Sequence, residues 1–236
     1  MQQEYADRVN LDSYQVSDSE MRPAIILVLM LSFSAFAQDQ WKNVYKESAW
    51  QERDAWQKPD ELIKRLNIKE GSKVADIGCN EGYMTVKLSK IVGAGKVYAV
   101  DVNQSKLDAL QDHLKARNIN NVLTIKGDYD DPKLETNSLD AVIILDTYHE
   151  MDDHDKILIK VKSALKTDGR LVVCEPIAES REKLDRAQQE SKHELAMNFA
   201  LKDLQKAGFH ILFQKDPFVD RTKIKGDKMW IIVATK

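Results

Sequence analysis

The segment between residues 74 and 91 carries residue types that would bind a nucleotide. An apolar run ends in Asp76, and Gly78 and Gly82 follow it with Asn80 between them. Glycine permits backbone angles that other residues avoid, and it lets a ligand approach the main chain closely. The helical pattern that comes next would point its free N–H groups at this turn, which favours an anionic group there. The segment therefore predicts a strand, a glycine turn and a helix around a nucleotide-type ligand.

Acidic residues recur at the ends of four apolar runs that alternate with helical patterns. The four acids are Asp76, Asp101, Asp128 and Asp146, at the ends of the runs 73–77, 96–100, 122–126 and 139–145. Alternating strands and helices predict a parallel sheet, in which ligands bind beyond the carboxyl ends of the strands. An ionised carboxylate only accepts hydrogen bonds, so Asp101 could take both hydroxyls of a ribose. One such acid alone could equally be a helix cap, and it is the joint pattern that favours a binding site.

The pattern Asp76-x-Gly78-x-Asn80-x-Gly82 resembles motif I of the class I S-adenosylmethionine (SAM)-dependent methyltransferases, usually D/E-x-G-x-G-x-G, with asparagine in place of the middle glycine. The resemblance covers about residues 59–236 and is to small-molecule methyltransferases, of the type that includes ubiquinone and menaquinone biosynthesis enzymes. It implies an α/β fold, a Rossmann-like three-layer sandwich. The mostly parallel seven-stranded sheet of that fold ends in an antiparallel C-terminal hairpin.

The resemblance also implies which residues bind the cofactor, S-adenosyl-L-methionine. They follow the ligand from its methionine end through ribose and adenine to the floor beneath the sulfonium. In that order they are Asp76, Gly78, Asn80 and Gly82, then Asp101 and Val102, then Asp128 and Tyr129, and last Asp146 and Thr147. The family has no universal catalytic residue, so no catalytic role is carried over.

Tyr148, His149 and Glu150 are the catalytic candidates, because they follow the fourth strand on the side where a methyl acceptor should enter. Methyl transfer from a sulfonium is an in-line displacement that depends on a held donor and an aligned acceptor. A histidine near its ordinary pKa could remove a proton from a hydroxyl, amine or thiol acceptor. The alternative is that His149 only orients the loop. The predicted function is methyl transfer from SAM to a small-molecule acceptor of unspecified identity.

Two other classes of function stay open at this point. One is an NAD-dependent oxidoreductase on a similar sheet, and the other is a non-catalytic SAM-binding module. The glycine spacing argues against the oxidoreductase, as do the apolar runs at 209–213 and 229–234, which predict a terminal hairpin that a typical dinucleotide-binding domain lacks.

The histidine motifs do not match a known metal-binding pattern. The run from His149-Glu150 to His154 is one residue longer than H-E-x-x-H, so its two histidines would not share a helix face. His193-Glu194 lacks a second histidine nearby. We therefore predict no metal site.

Length and composition fit one domain with N-terminal extensions. The chain has 236 residues, of which 43% are hydrophobic, and a net charge of −3, which gives no reason to expect a nucleic-acid partner. The predicted divisions are a polar extension at 1–20, a signal-peptide-like apolar segment at 21–37, a helical segment at 38–58 and the methyltransferase domain at 59–236.

The segment 21–37 has the form of a secretory signal. Arg22 is followed by an uncharged run and by Ala35-Phe36-Ala37, an A-x-A cleavage pattern. At about 1.5 Å per residue, the run is too short to cross a hydrocarbon core of about 30 Å comfortably. We therefore expect export to the periplasm or association with the membrane or envelope. The alternative is a cytoplasmic protein with a buried or interfacial N-terminal helix, which would suit a cofactor that is made in the cytosol. The oligomeric state stays open.

Overall fold

The computed structural model describes residues 47–236, and the strands within that range form one seven-stranded sheet. The strands are β1 (Lys73–Ile77), β2 (Lys96–Asp101), β3 (Val122–Lys126), β4 (Leu139–Leu145), β5 (Leu165–Ile177), β6 (His210–Arg221) and β7 (Asp227–Thr235). Their order across the sheet is β3-β2-β1-β4-β5-β7-β6. Strands β1 to β5 pair in parallel, whereas β7 is antiparallel to both β5 and β6. The predicted sheet and its terminal hairpin are therefore confirmed.

Helices cover both faces of this sheet. They are α1 (Glu47–Gln57), α2 (Pro59–Leu66), α3 (Tyr83–Val92), α4 (Gln104–Ala116), α5 (His154–Ala164), α6 (Arg186–Glu190), α7 (Met197–Lys206) and α8 (Thr222–Lys225), with 3-10 turns at Tyr148–Glu150 and Glu179–Arg181. None of these helices has the length and apolar character needed to span a bilayer. The predicted extension at 1–20, the signal-like segment at 21–37 and the part of the helical segment before residue 47 lie outside the described residues.

Two apolar clusters, one on each face of the sheet, form the core. Successive strand residues point to opposite faces, so Val74 packs in one cluster and Ala75 in the other. Helices α2, α3 and α4 contribute to the first cluster, and α5 and α7 contribute to the second. Strand β4 is almost continuously apolar and buried because it is covered from both sides. This arrangement is the predicted three-layer sandwich.

The register of the central strands brings their carboxyl ends to one level. Ile77, the last residue of β1, pairs with Val100 of β2 on one side and with Ile144 of β4 on the other. The chain order reverses between β1 and β4, and such a point in an open α/β sheet is where ligands bind. Asp101, the last residue of β2, and Asp146, the first residue after β4, therefore lie on either side of the end of β1.

Several boundaries differ from the prediction, and β6 extends to Arg221, well beyond the apolar run at 209–213. The residues Lys166-Thr167-Asp168-Gly169-Arg170 predict a turn before a fifth strand at 171–174, but β5 begins at Leu165. In its pairing with β4, Leu165 lies opposite Leu139, and the next paired residue, Arg170, lies opposite Ala141. The predicted turn is therefore an irregularity within the strand. The sequence also predicts a helix over 191–206, ended by Gly208, but the observed helix begins at Met197, because His193 has a left-handed backbone (φ 57°) that interrupts a helix.

Candidate functional site

The turn between β1 and α3 needs its glycines for steric reasons. Gly78 has φ 73°, and a Cβ atom there would lie 2.4 Å from the side chain of Thr147. Gly82 has φ 95°, and a Cβ atom there would lie 2.3 Å from Leu110. Asn80 also has positive φ, at 50°, and asparagine is among the few other residues that adopt this conformation. The departure from the usual glycine motif therefore keeps the backbone shape of the turn.

The side chain of Asp76 connects the end of β1 to the first turn of α3. This side chain is buried, and its Oδ2 accepts a hydrogen bond from the Thr85 hydroxyl of α3 at 2.6 Å. Burial raises the pKa of Asp76 to about 6, although the bond from Thr85 and the charge of Arg53 oppose that rise. A carboxyl group that is held inside the turn in this way fixes the start of α3 relative to β1.

Asp101 lies at the edge of the turn, at the end of β2. Its Oδ2 accepts the backbone N–H of Asn80 and its Oδ1 that of Asn103, both at 2.9 Å. Each carboxylate oxygen can accept a second hydrogen bond, so both oxygens can still bind a hydroxyl of a ligand. The neighbouring Val102 is 39% exposed and offers an apolar surface beside the carboxylate.

A main-chain hydrogen bond connects the loop after β3 to the end of β2, since Gly127 donates its N–H to the carbonyl of Asp101 at 3.1 Å. Asp128 is exposed and forms an ion pair with Lys133 at 3.1 Å. Tyr129 is 69% exposed, which is unusual for an aromatic side chain. The structure thus places an accessible ring and a carboxylate beyond β3.

Asp146 and Thr147 follow β4 in a strained backbone segment. Asp146 has φ 59° and donates its N–H to the carbonyl of Cys174 at 2.9 Å. Its carboxylate faces the guanidinium of Arg53 at 3.7 Å, and that guanidinium also lies 4.3 Å from the ring centre of Tyr83. Arg53 comes from α1, and sequence reasoning did not single it out because only the fold brings it to β4.

Glu175, at the end of β5, is a second residue of the site that sequence reasoning missed. It is fully buried, and its Oε1 accepts the backbone N–H groups of Thr147 and Tyr148 at 2.7 and 2.8 Å. Its Oε2 lies 2.5 Å from Nδ1 of His149. The signal that could have found it is its position, because it is another acid at the carboxyl end of a parallel strand. One buried carboxylate therefore holds the loop after β4.

The three catalytic candidates lie in different surroundings. The Tyr148 ring is fully buried and its hydroxyl donates to Asp203 at 3.0 Å, so its side chain belongs to the core rather than to an accessible site. Burial raises the pKa of that hydroxyl well above its ordinary value. Glu150 is exposed, and its Oε1 lies 2.6 Å from Nδ1 of His193.

His149 is buried between Glu175 and Glu150. Burial by itself lowers the pKa of the imidazole, but the hydrogen bond and charge of Glu175 outweigh it and raise the pKa to about 9. At neutral pH the ring therefore carries a proton, and it would have to lose that proton before it could act as a general base.

The chain also matches a known family along most of the described residues. The family model described as "Methyltransferase domain" covers residues 68–223, which include the glycine turn, all of the strand-end acids and the loop after β4. The chain belongs to the class I SAM-dependent methyltransferases. This methyltransferase has free, buried cysteines at positions 79 and 174.

Curated relatives of the methyltransferase match over part of their length. The demethylmenaquinone methyltransferase of Lactobacillus johnsonii is 30% identical over 125 residues, which are 52% of this chain and 50% of the relative. The (S)-coclaurine N-methyltransferase of Thalictrum flavum subsp. glaucum is 26% identical over 110 residues, 47% of this chain and 30% of the relative. The methyltransferase thus spans about half the length of the demethylmenaquinone enzymes that it matches.

Solved structures share the fold of the methyltransferase. A SAM-dependent methyltransferase from Aquifex aeolicus superposes with a TM-score of 0.68 at 23% identity, covering 83% of this chain and 96% of that one. The cyclase SpnF superposes with a TM-score of 0.66 at 19% identity, covering 76% and 80%. At these identities the likeness concerns the fold alone, and the fold hosts more than one activity.

The residues of the methyltransferase fit SAM at two points. The α3 helix begins after Gly82 without a cap from that residue; its Thr85 N–H bonds to Asp76, and the N–H groups of Tyr83 and Met84 are left for an anionic group such as the methionine carboxylate. The carboxylate of Asp101 lies beside the same turn with acceptor capacity for the ribose hydroxyls.

Proposed function

We propose that the protein transfers a methyl group from SAM to a small-molecule acceptor by in-line displacement. The observation that carries this proposal is the joint placement of the glycine turn, the uncapped start of α3 and the Asp101 carboxylate at the point where the strand order reverses. The family match over residues 68–223 supports it. The relatives' names specify small molecules as their substrates, and we extend only that class of acceptor to this chain.

Bound SAM would supply an electrophilic methyl group on its sulfonium. Asp101 and Val102 would hold the ribose, and the exposed ring of Tyr129 would contact the adenine together with Asp128. The turn with Gly78 and Asn80 would leave room for the methionine end, while Asp146 and Thr147 would form the floor. Positioning of this kind can lower a barrier by roughly 7–11 kcal/mol without a covalent intermediate.

The catalytic roles predicted for Tyr148, His149 and Glu150, and the base role predicted for His149, stay predictions. Of the three, the buried Tyr148 hydroxyl and the protonated His149 ring are held by Asp203 and Glu175, which supports a role in positioning the loop. Glu150 is the candidate whose carboxylate is exposed to solvent.

Calorimetric titration with SAM and S-adenosylhomocysteine (SAH) tests the cofactor site. Asp101→Asn removes a charged acceptor, and hydrogen bonds to charged groups contribute about 1.5–3 kcal/mol, so we expect both dissociation constants to rise roughly 10- to 100-fold. Asp108→Asn, on the exposed face of α4, is the matched control and should leave them unchanged. A folded wild-type protein without affinity for either ligand would contradict the proposal.

A second candidate function is binding of SAM without methyl transfer. The specific observation in its favour is that the Tyr148 hydroxyl and the His149 ring are both buried and hydrogen-bonded to acids, so the site offers neither as an accessible base. A screen of hydroxyl, amine and thiol acceptors with methyl-labelled SAM separates the two functions. The NAD-dependent oxidoreductase is tested in the same titrations by NADH, which we expect not to bind.

We further propose that residues 21–37 are a signal that exports the protein or attaches it to the cell envelope. The support is the pattern of Arg22, an uncharged run and Ala35-Phe36-Ala37. N-terminal sequencing of the mature protein from its native host should find Gln38 as the first residue. A mature chain that retains residues 23–37 in the cytosol would rule out cleavage and favour the cytoplasmic alternative.

A further inference from the structure

Three side chains from two distant loops converge beyond the end of β4. His149 and Glu150 belong to the 3-10 turn after β4, and His193 lies 43 residues after Glu150, between α6 and α7. One potential ligand atom from each lies within 4.8 Å of the other two. Oε1 of Glu150 is 3.4 Å from Nε2 of His149 and 2.6 Å from Nδ1 of His193. The fold thus assembles two imidazoles and one carboxylate that no sequence motif joins.

These distances are close to those of a metal site. Bonds of about 2.0–2.1 Å at tetrahedral angles place neighbouring ligand atoms about 3.3 Å apart. The separation between His149 and Glu150 already has this value. The separation between Glu150 and His193 must widen by less than about 1 Å, and it can, since the two side chains are 54% and 74% exposed.

Glu175 supplies the support that histidine ligands of metals usually have. Nδ1 of His149 faces Oε2 of this fully buried carboxylate, which leaves Nε2 directed toward Glu150. A carboxylate on the far nitrogen fixes the ring orientation and the tautomer of a metal-bound histidine. The same Glu175 holds the backbone of Thr147 and Tyr148, so the ligand-bearing turn is anchored as well.

His193 is held in place by the two residues that follow it. The next residue, Glu194, is buried and accepts hydrogen bonds from the Ala178 backbone and from Arg181. Leu195 donates its N–H to the carbonyl of Pro176, next to Glu175 in β5. The loop of His193 is therefore fixed to the same strand end that supports His149.

A second group with comparable spacing, formed by His154, Asp155 and Asp203, is a poorer candidate. Its carboxylates already have cationic partners, since Asp203 accepts from Arg186 at 2.7 Å and Asp155 pairs with Lys206. Among the described residues, Glu150 has no lysine or arginine as an ion-pair partner, only the imidazoles of His149 and His193, whose protons a bound metal ion would replace.

We propose that His149, Glu150 and His193 bind one Zn²⁺ ion. Two imidazoles and a single carboxylate favour a first-row transition metal over Mg²⁺ or Ca²⁺, which prefer oxygen ligands. Three protein ligands with an exposed side leave a coordination position for water or for another ligand, as in catalytic zinc sites. If the proposed methyl transfer holds, that position would bind the oxygen, nitrogen or sulfur atom of the acceptor.

Calorimetric titration of untagged, chelator-treated protein with Zn²⁺ tests the site. We expect one ion per chain, and we expect His193→Ala and Glu150→Gln each to weaken binding at least about tenfold. Both side chains are exposed, so both variants should fold, which circular dichroism verifies. His210→Ala replaces an exposed histidine of β6 that is not part of the cluster, and this variant should bind Zn²⁺ as the wild type does. Titration with Co²⁺ gives a second readout, because only an inner-sphere site yields strong d–d absorption bands that both cluster variants lose.

The outcomes separate this site from the proposed function. Zinc that binds stoichiometrically and is lost in both cluster variants supports the site, whether or not the same sample binds SAH. Folded wild-type protein without stoichiometric binding overturns it even where SAH binds. Binding that persists unchanged in both variants overturns it too, because the ion would then lie elsewhere on the surface.

Discussion

Asp76 is a carboxyl group whose ionisation opposes folding. It is 2% exposed and accepts a 2.6 Å hydrogen bond from Thr85. Loss of water on burial disfavours the charged form, and the folded-state pKa of about 6 lies above the ordinary value of 3.8. The folded protein therefore binds this proton more tightly than the unfolded chain does.

The sign of the pH dependence follows from this order of pKa values. The stabilisation linked to the Asp76 proton is fully present below pH 3.8 and is lost as the pH rises through about 6. Relative to Asp76→Asn, which cannot ionise, the wild type should lose about 2–3 kcal/mol of unfolding free energy between about pH 4 and pH 7. Urea unfolding of both proteins at several pH values measures the difference.

Asp108→Asn, which removes an exposed carboxylate of α4, is measured alongside as the control for the loss of one acid. If the difference between wild type and Asp76→Asn is flat from about pH 4 to pH 7, the buried carboxyl does not titrate as described.

At the scale of elements, the β1–turn–α3 unit depends on a close approach to the loop after β4. Gly78 makes that approach, since a Cβ atom there would come within 2.4 Å of the Thr147 side chain. Gly71, before β1, has a similar backbone (φ 83°), but a Cβ atom there would have nothing within 4 Å. A side chain at Gly71 would therefore meet backbone strain alone, whereas one at Gly78 would meet backbone strain and a steric clash.

Alanine substitutions at the two positions form a matched pair. Gly71→Ala should lower the unfolding free energy by about 1–2 kcal/mol, because it only forces a left-handed alanine. Gly78→Ala should cost about 1–3 kcal/mol more, because the methyl group also displaces Thr147. We expect only Gly78→Ala to weaken SAH binding, by about tenfold or more. Equal losses of stability in the two variants would show that the contact with Thr147 is not tight.

At the scale of the whole molecule, the terminal hairpin closes one edge of the sheet and links it to the loops of the site. Arg221 and Asp227 face each other where β6 turns into β7, and they form a buried bidentate ion pair with Nη2 and Oδ2 3.0 Å apart. Trp230 of β7 donates its indole N–H to the carbonyl of Leu195 at 2.6 Å, next to the loop of His193. The hairpin is thus tied to the loop that carries His193.

Asp227→Asn should destabilise the whole domain. It leaves the Arg221 charge buried without its anion, and breaking a buried pair in this way costs about 3–5 kcal/mol. Asp155→Asn breaks the exposed pair with Lys206 and should change stability little. Thermal and urea unfolding measure both. A loss for Asp227→Asn as small as that of the control would contradict a structural role of the buried pair.

Local sequence was sufficient for the bounds of three strands. The predicted bounds of β1, β3 and β4 coincide with the observed ones, because β1 and β4 are buried apolar runs and the edge strand β3 lies between polar turns. The prediction missed the start of β5, because Leu165 already pairs with Leu139, and the turn-type residues lie between that pair and the pair of Arg170 with Ala141. The pairing of Leu165 depends on a strand partner 26 residues away, which local sequence does not identify.

The sequence by itself determined the order of strands and helices, the glycine turn and the acids at the strand ends, since each depends on residues that are neighbours along the chain. Only the tertiary structure decided that Arg53 faces Asp146, that Glu175 holds His149 and that His193 meets Glu150. These pairs lie 26 or more residues apart, and chain closure over such distances is set by the packing of the two apolar clusters against the sheet.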